Sequence, residues 1–227
     1  KPYMTFQYPA IGETFFKGVY KLPEGHYFTY RDGKMDIHRY SDEDFREGKQ
    51  KLGELVNSID QTVCDSVKAH QIADVEVGSF LSSGVDSSYV AAVARPQHTY
   101  SIGFGKGTYN ESQQAGELAE LLKLNNTAES LTDEEAFAAF PRIQWHLDEP
   151  DSNPSCVPLY FLSALAAKDV KVLLSGEGAD ELFAGYIDYG VHTKFRPIKV
   201  VTRWLTHLPA GARKAIARFC KGKTFPG

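Results

Sequence analysis

The strongest constraint on the fold is an alternation of two periodicities. The runs "VEVGSFL" (75–81), "HTYSIGF" (98–104) and "VKVLL" (170–174) are short, apolar and rich in β-branched or aromatic residues, as buried strands are. Between and after them, residues 86–94, 111–123, 134–140, 158–168 and 179–186 carry helical patterns; Leu118, Leu121 and Leu122 share one side of the second. "NTAESL" (126–131) has the look of a short edge strand. A helix between consecutive strands returns the chain to the same end of the sheet, which gives parallel pairing. The expected fold class is therefore α/β, a wound parallel sheet with flanking helices built from βαβ units.

The preceding sequence differs. "GHYFTYRDGKMDIHRY" alternates apolar and polar residues on either side of Asp32-Gly33, a strong hairpin signal. Ser41 then opens an acidic turn, Asp42, Glu43 and Asp44, that suits a helix start. Leu52, Leu55, Val56, Ile59 and Val63 follow at helical spacing, so a long amphipathic helix is expected over much of 42–70. Residues 191–227 are more basic and hold helical patches at 200–205 and 212–220. The expected organisation is a β-hairpin linker over 1–41, a wound domain over 42–190, and the start of a helical part over 191–227. The ends, "KPYMTFQYP" and "KGKTFPG", read as cuts in a longer protein.

Composition narrows the function classes. Apolar residues make up 42%, enough for a sizeable core. Acids exceed bases by 29 to 25, giving a net charge of −4, whereas a nucleic-acid binder would show a basic stripe. Cys64, Cys156 and Cys220 are odd in number and form no CxxC pair, so reduced thiols in a cytoplasmic protein are expected. No stretch approaches the roughly 20 apolar residues of a membrane helix. A small-molecule enzyme or binding domain fits this profile, with neither nucleic acid nor membrane as partner.

Two strand-to-helix turns stand out. Leu81-Ser82-Ser83-Gly84-Val85-Asp86-Ser87-Ser88 follows one strand, and Leu174-Ser175-Gly176-Glu177-Gly178-Ala179-Asp180-Glu181 another. Small side chains let backbone N–H groups approach a ligand, and a helix N-terminus adds donors and about half a positive charge. That makes an anion cradle. An aspartate inside it would repel a bare phosphate unless a cation lay between, and Mg²⁺ held by one or two carboxylates plus phosphate oxygens meets that need. Asp86 and Asp180 could share the ion. Ordinary turn chemistry explains either loop alone; two of them, each with an acid, point to a nucleotide. Gly222-Lys223-Thr224 resembles the end of a Walker loop, but Ala217 stands where that motif requires glycine.

These stretches resemble one family. "SSGVDSS" resembles the PP-loop, SGGxDS, of N-type ATP pyrophosphatases, and "LLSGEGADELFAGY" is similar to the second signature of glutamine-hydrolysing asparagine synthetases. "FFKGVYKLPEGHYFTY" looks like the stretch joining their glutaminase and synthetase domains, and "DEPDSNPS" like the loop before the second signature. The resemblance implies an adenine nucleotide alpha hydrolase-like fold and an ATP-dependent amidoligase. Aspartate is activated as β-aspartyl-AMP with pyrophosphate release, and ammonia from glutamine then displaces AMP. By position, Ser82, Ser83, Gly84, Asp86, Ser87 and Ser88 would surround the pyrophosphate. Leu81, Ile102, Ser175 and Gly176 would contact the AMP portion. Asp86 and Asp180 would hold Mg²⁺, and Glu177 would assist formation of the adenylate. The implied partners are ATP, aspartate, ammonia and an N-terminal glutaminase domain of the same parent; a homodimer is also compatible.

The chain departs from the family pattern in three ways. Ser83 replaces the second glycine of SGG, which would strain a position needing positive φ. No cysteine domain precedes Lys1, so glutamine hydrolysis is not expected of this chain. The family's later lysine and E-A-R-x-P-F stretch have no counterpart, and no motif places Lys194 or Lys199 in the site, so this fragment could bind ATP without completing the reaction. The rival readings are a ligase like the β-lactam-forming synthetases and a non-catalytic nucleotide-binding or docking module. His146 is expected to be a loop or packing residue, and Trp145, Tyr186 and Tyr189 to be packing residues.

Overall fold

A computed structural model describes residues 3–6, 12–41, 48–104, 111–187 and 189. The chain divides into two compact units, Lys1–Gly176 and Glu177–Gly227. The first begins with a short helix, α1 (Tyr3–Phe6), and a hairpin of β1 (His26–Arg31) and β2 (Lys34–Arg39). Asp32 and Gly33 turn the hairpin with φ of 50° and 75°, the two positive values that a tight two-residue turn requires. Phe28 faces Ile37 and Tyr30 faces Met35, so one hairpin face is apolar, and all four side chains are exposed. On the other face Tyr27 stacks on His38 with ring centroids 5.0 Å apart.

Helix α2 (Leu52–His70) starts later than the periodicity suggests. Lys51 is extended, at φ −70° and ψ 148°, and its N–H reaches Glu54 Oε2 at 3.4 Å. Residues 48–50 are not helical, and the acidic turn Asp42, Glu43, Asp44 lies outside the described residues.

The wound part then runs β3 (Val77–Phe80), α3 (Val85–Ala94), β4 (His98–Phe104), α4 (Glu111–Leu122), β5 (Asn125–Leu131), α5 (Asp133–His146), α6 (Cys156–Ala166) and β6 (Val172–Leu174). The strands pair in the order β5-β4-β3-β6, all parallel, with β3 hydrogen-bonded to both β4 and β6. This is the expected α/β class. "NTAESL" is the edge strand it resembled, extended by one residue to Asn125.

Helices cover both sheet faces because alternate strand residues point to opposite sides. On one side Leu81 packs with Ala91 of α3 and with Ala115 and Ala119 of α4, while Leu174 packs with Val67 of α2 and Ala94 of α3. Alanines at these contacts let the helix backbones sit close to the strands. On the other side Tyr100 packs with Leu165 and Ala166 of α6 and with Val170. Its hydroxyl donates to Asp169 at 3.1 Å; burial, then this bond and the carboxylate charge, push the phenol up to about 12.

Two expectations change in the first unit. Helix α5 does not stop before Pro141 but carries it inside and continues to His146, because Ile143 beyond it is buried and α5 packs on α6. Trp145 is 75% exposed, with its ring edge-on to His146, and is not a core residue. Leu121 of α4 is likewise exposed, leaving Leu118 to make the core contact.

In the second unit α7 (Ala179–Phe183) is shorter than expected, ended by Ala184 at φ 55°. Tyr186 and Tyr189 are exposed rather than core; Tyr186 donates to Glu181 Oε1 at 2.8 Å, and that bond first, with burial second, pushes its phenol up to about 12. The helical patches expected within 191–227 lie outside the described residues. Among the described residues no helix is long and apolar enough to cross a membrane.

Helix α5 opens with a reciprocal cap. The Thr132 hydroxyl accepts from Glu135 N at 3.2 Å, and Glu135 Oε2 accepts from Thr132 N at 2.9 Å. The backbone bond, then the Thr132 hydroxyl, lower the Glu135 pKa, so its stabilisation is present at neutral pH and lost as pH falls through the folded value. Thr132→Ala is expected to cost about 1 kcal/mol in urea unfolding at pH 7. Glu135→Gln should reduce the loss of stability on acidification.

Candidate functional site

The site follows from the pairing of β3 with β6. Val77 pairs with Val172, Gly78 with Leu173 and Ser79 with Leu174, in parallel. Two parallel neighbours release their chains at the same end of the sheet, so Leu81–Gly84 and Ser175–Gly176 leave side by side. Both small-residue turns of the first unit therefore stand at the carboxyl edge, where wound sheets bind ligands.

The first turn is braced by its own hydroxyls. Ser82 N donates to Ser87 Oγ at 3.1 Å, and the Ser82 and Ser87 hydroxyls are 2.8 Å apart. Gly84 N donates to Ser82 Oγ at 3.1 Å, and the Ser88 hydroxyl donates to Gly84 O at 2.6 Å. Gly84, extended at φ −71° and ψ 149°, precedes α3. The first-turn amides of Val85, Asp86 and Ser87 have no preceding helical turn to receive them, so the helix end is electropositive. Ser83 does not adopt positive φ, so serine in place of the family's glycine carries no backbone strain.

Asp86 lies in this first turn, half-buried, and among the described residues its carboxylate has no hydrogen-bond or ion-pair partner. A carboxylate beside a helix N-terminus, with no balancing cation among the described residues, suits a divalent ion shared with phosphate oxygens. Among the described residues no three His, Cys, Asp or Glu side chains cluster as a protein-only metal cage.

The second turn touches the first directly. A Cβ on Gly176 would fall 2.7 Å from Ser87 N and 2.8 Å from both Asp86 C and Asp86 Cβ. Only glycine lets the two backbones meet this closely. Leu81, Ser82, Ser83, Gly84, Asp86, Ser87 and Ser88 thus form one edge of the sheet with Ser175 and Gly176. Leu81 is buried, and its N–H donates to Tyr100 O at 2.8 Å. Ile102 is half-buried on β4, one residue beyond Ser101, whose hydroxyl donates to Leu81 O at 2.7 Å. Glu177 and Asp180 belong to the second unit. There Asp180 is in the first turn of α7, its carbonyl accepts from Gly185 N at 3.0 Å, and its carboxylate lies where a Cβ on Gly185 would sit.

The loop "DEPDSNPS" is ordered by side chains that the sequence reading did not single out. Gln144 grips Asp151 twice, donating from Nε2 to Asp151 O at 3.0 Å and accepting Asp151 N at 2.9 Å. Asn153 N donates to Asp151 Oδ1 at 2.9 Å. Lys21 Nζ is 2.8 Å from Glu149 Oε2, and the other Glu149 oxygen is buried with no partner among the described residues. Burial, then the charge of Asp151, raise the pKa of the Cys156 thiol, so it is no activated nucleophile. On α3, the Tyr89 hydroxyl donates to Asp60 of α2; that bond, first, pushes the phenol above its ordinary range. The signal for such polar contacts was weak, since a lone Gln, Tyr or Asp on a helix carries no period.

A parallel sheet whose two small-residue turns meet at its carboxyl edge defines a wound α/β protein. The asparagine synthase family model matches residues 58–220, which include both turns, and the chain belongs to the asparagine synthase family. It is similar to asparagine synthetase [glutamine-hydrolyzing] 1 of Bacillus subtilis, 36% identical over 94% of this chain and 34% of that protein. It is also similar to asparagine synthetase B [glutamine-hydrolyzing] of Escherichia coli, 28% identical over 74% of this chain and 34% of that one. The chain spans about a third of the length of these curated relatives. Among solved structures it resembles a glutamine-dependent NAD+ synthetase from Acinetobacter baumannii in complex with ADP, at 15% identity and TM-score 0.40, covering 66% of this chain and 30% of that one; that likeness is too slight to argue from.

Gly176→Ala is expected to force the second turn off α3. The clash is with backbone, so it should cost about 1–3 kcal/mol of stability. It should also broaden or shift the amide resonances of Asp86 and Ser87, read by nitrogen–proton correlation spectra. Unchanged spectra would contradict the close approach.

Proposed function

We propose that this chain is the ATP-using synthetase portion of a glutamine-hydrolysing asparagine synthetase. The observation that carries the reading is the contact of Gly176 with Asp86 and Ser87, which joins two donor-rich turns inside the stretch matched by the family model. In this reading Ser82, Ser83, Gly84, Ser87 and Ser88 surround the β- and γ-phosphates of ATP, with the first-turn amides of α3 as the donors. Leu81, Ile102, Ser175 and Gly176 hold the AMP portion, chiefly through backbone. Asp86 would hold Mg²⁺, which when bound would neutralise charge on the pyrophosphate.

The chemistry follows from where charge develops. The side-chain carboxylate of aspartate forms a bond to the α-phosphorus as the bond to pyrophosphate breaks. Donors already aimed at the leaving oxygens stabilise the transition state more than the ground state, and losing one costs about 3 kcal/mol of barrier. Ammonia then attacks the acyl carbon, AMP leaves, and a proton is lost to give the amide. Neither step needs a covalent enzyme nucleophile, in keeping with the raised pKa of the Cys156 thiol. Ammonia would come from glutamine, hydrolysed at a glutaminase domain of the parent; the relatives' names describe those proteins as glutamine-hydrolysing.

Calorimetry with MgATP on this chain tests the reading. The unaltered chain should bind MgATP, and Asp86→Asn should weaken binding by at least about tenfold without lowering the melting temperature. ATP–pyrophosphate exchange by the parent should depend on aspartate. No binding by the unaltered chain, or equal binding by Asp86→Asn, would overturn the nucleotide assignment. Exchange that ignores aspartate would overturn the substrate.

A further inference from the structure

Beneath the first turn lies a buried polar cluster that the proposed chemistry does not use. Thr99 and Ser101, alternate residues of β4, are essentially fully buried. The Thr99 hydroxyl is 3.0 Å from Asn125 O and 3.0 Å from the Asn126 side-chain oxygen. The Ser101 hydroxyl is 2.7 Å from Leu81 O and 3.1 Å from the same Asn126 oxygen. Two hydroxyl protons thus face three acceptors across four contacts, which leaves buried oxygens opposed without a proton between them.

Turning the Asn126 carboxamide over removes the conflict. Its oxygen and nitrogen occupy equivalent positions, and hydrogen-bond satisfaction selects between them. With Nδ2 inward, its two protons go to Thr99 Oγ1 and Ser101 Oγ. The Thr99 proton then goes to Asn125 O and the Ser101 proton to Leu81 O, so each of the four contacts holds one proton.

The Leu81 carbonyl belongs to the same planar peptide unit as Ser82 N, which donates to Ser87 Oγ at 3.1 Å. That peptide is held at both ends, by Ser101 on its oxygen and Ser87 on its nitrogen. Rotation of the plane would break both bonds. We infer that Ser101, oriented by the Asn126 amide, is a positioning residue that fixes the Leu81–Ser82 peptide and through it the donors of the nucleotide turn. The effect on nucleotide affinity rests on the function proposed above; the grip on the peptide does not.

Two readouts keep these apart. Ser82 amide hydrogen exchange, measured without nucleotide, should be slow in the unaltered chain and faster by at least about tenfold in Ser101→Ala. MgATP affinity should fall by about tenfold in Ser101→Ala and return in Ser101→Thr, which keeps the hydroxyl. Asn126→Asp, which lacks the two N–H donors, should weaken affinity similarly, and it decides the matter if Ser101→Ala does not fold. Thr132→Ala, remote from the turn, should lose stability without losing affinity. Unchanged Ser82 exchange in Ser101→Ala, or affinity equal to the unaltered chain in both Ser101→Ala and Asn126→Asp, would overturn the inference. Altered exchange in a chain that binds no MgATP would overturn the nucleotide reading alone.

Discussion

The structure depends on one adjacency, the parallel pairing of β3 with β6. These strands are some ninety residues apart in sequence, yet their hydrogen bonds put both carboxyl ends at one edge. Everything chemically distinctive in the first unit is then a matter of what leaves that edge. Ser82–Ser88 opens α3, and Ser175–Gly176 lies against it. The sheet brings the segments together, and the missing side chain at Gly176 lets them touch. A larger residue there would keep the strands paired and still separate the turns.

Rigidity comes from beneath as well as from within. The serine hydroxyls of the turn satisfy one another, so its shape does not wait for a ligand. The first-turn amides of α3 are outside this network. Asp86 is the exception: its carboxylate has no protein partner among the described residues. An acid with no partner among the described residues, beside a helix N-terminus, suits a cation-bridged phosphate site.

Much of the fold was legible because burial writes itself into period and run length. The central strands β3, β4 and β6 appeared as apolar runs, and the Asp32-Gly33 turn as a pair that readily adopts positive φ. The failures have physical causes. Helix α5 passes through Pro141 because the burial of Ile143 outweighs a missing backbone donor. Trp145 is exposed because its position turns away from α6, which a count of aromatic residues cannot reveal. The two turns were readable from composition, and so was the half-buried Asp86. The contact of Gly176 with Ser87 was not, since the closeness of two backbones leaves no mark beyond a glycine. Nor was the Asn126 amide, whose partners Thr99 and Ser101 look in sequence like polar interruptions of a strand.

The most direct measurement is a titration of the isotopically labelled chain with MgATP, followed by backbone amide shifts. If the two turns form one nucleotide site, the largest changes fall together on residues 82–88 and 175–176 and saturate with a single dissociation constant. Changes confined to one turn, or centred away from the carboxyl edge of β3 and β6, would contradict it.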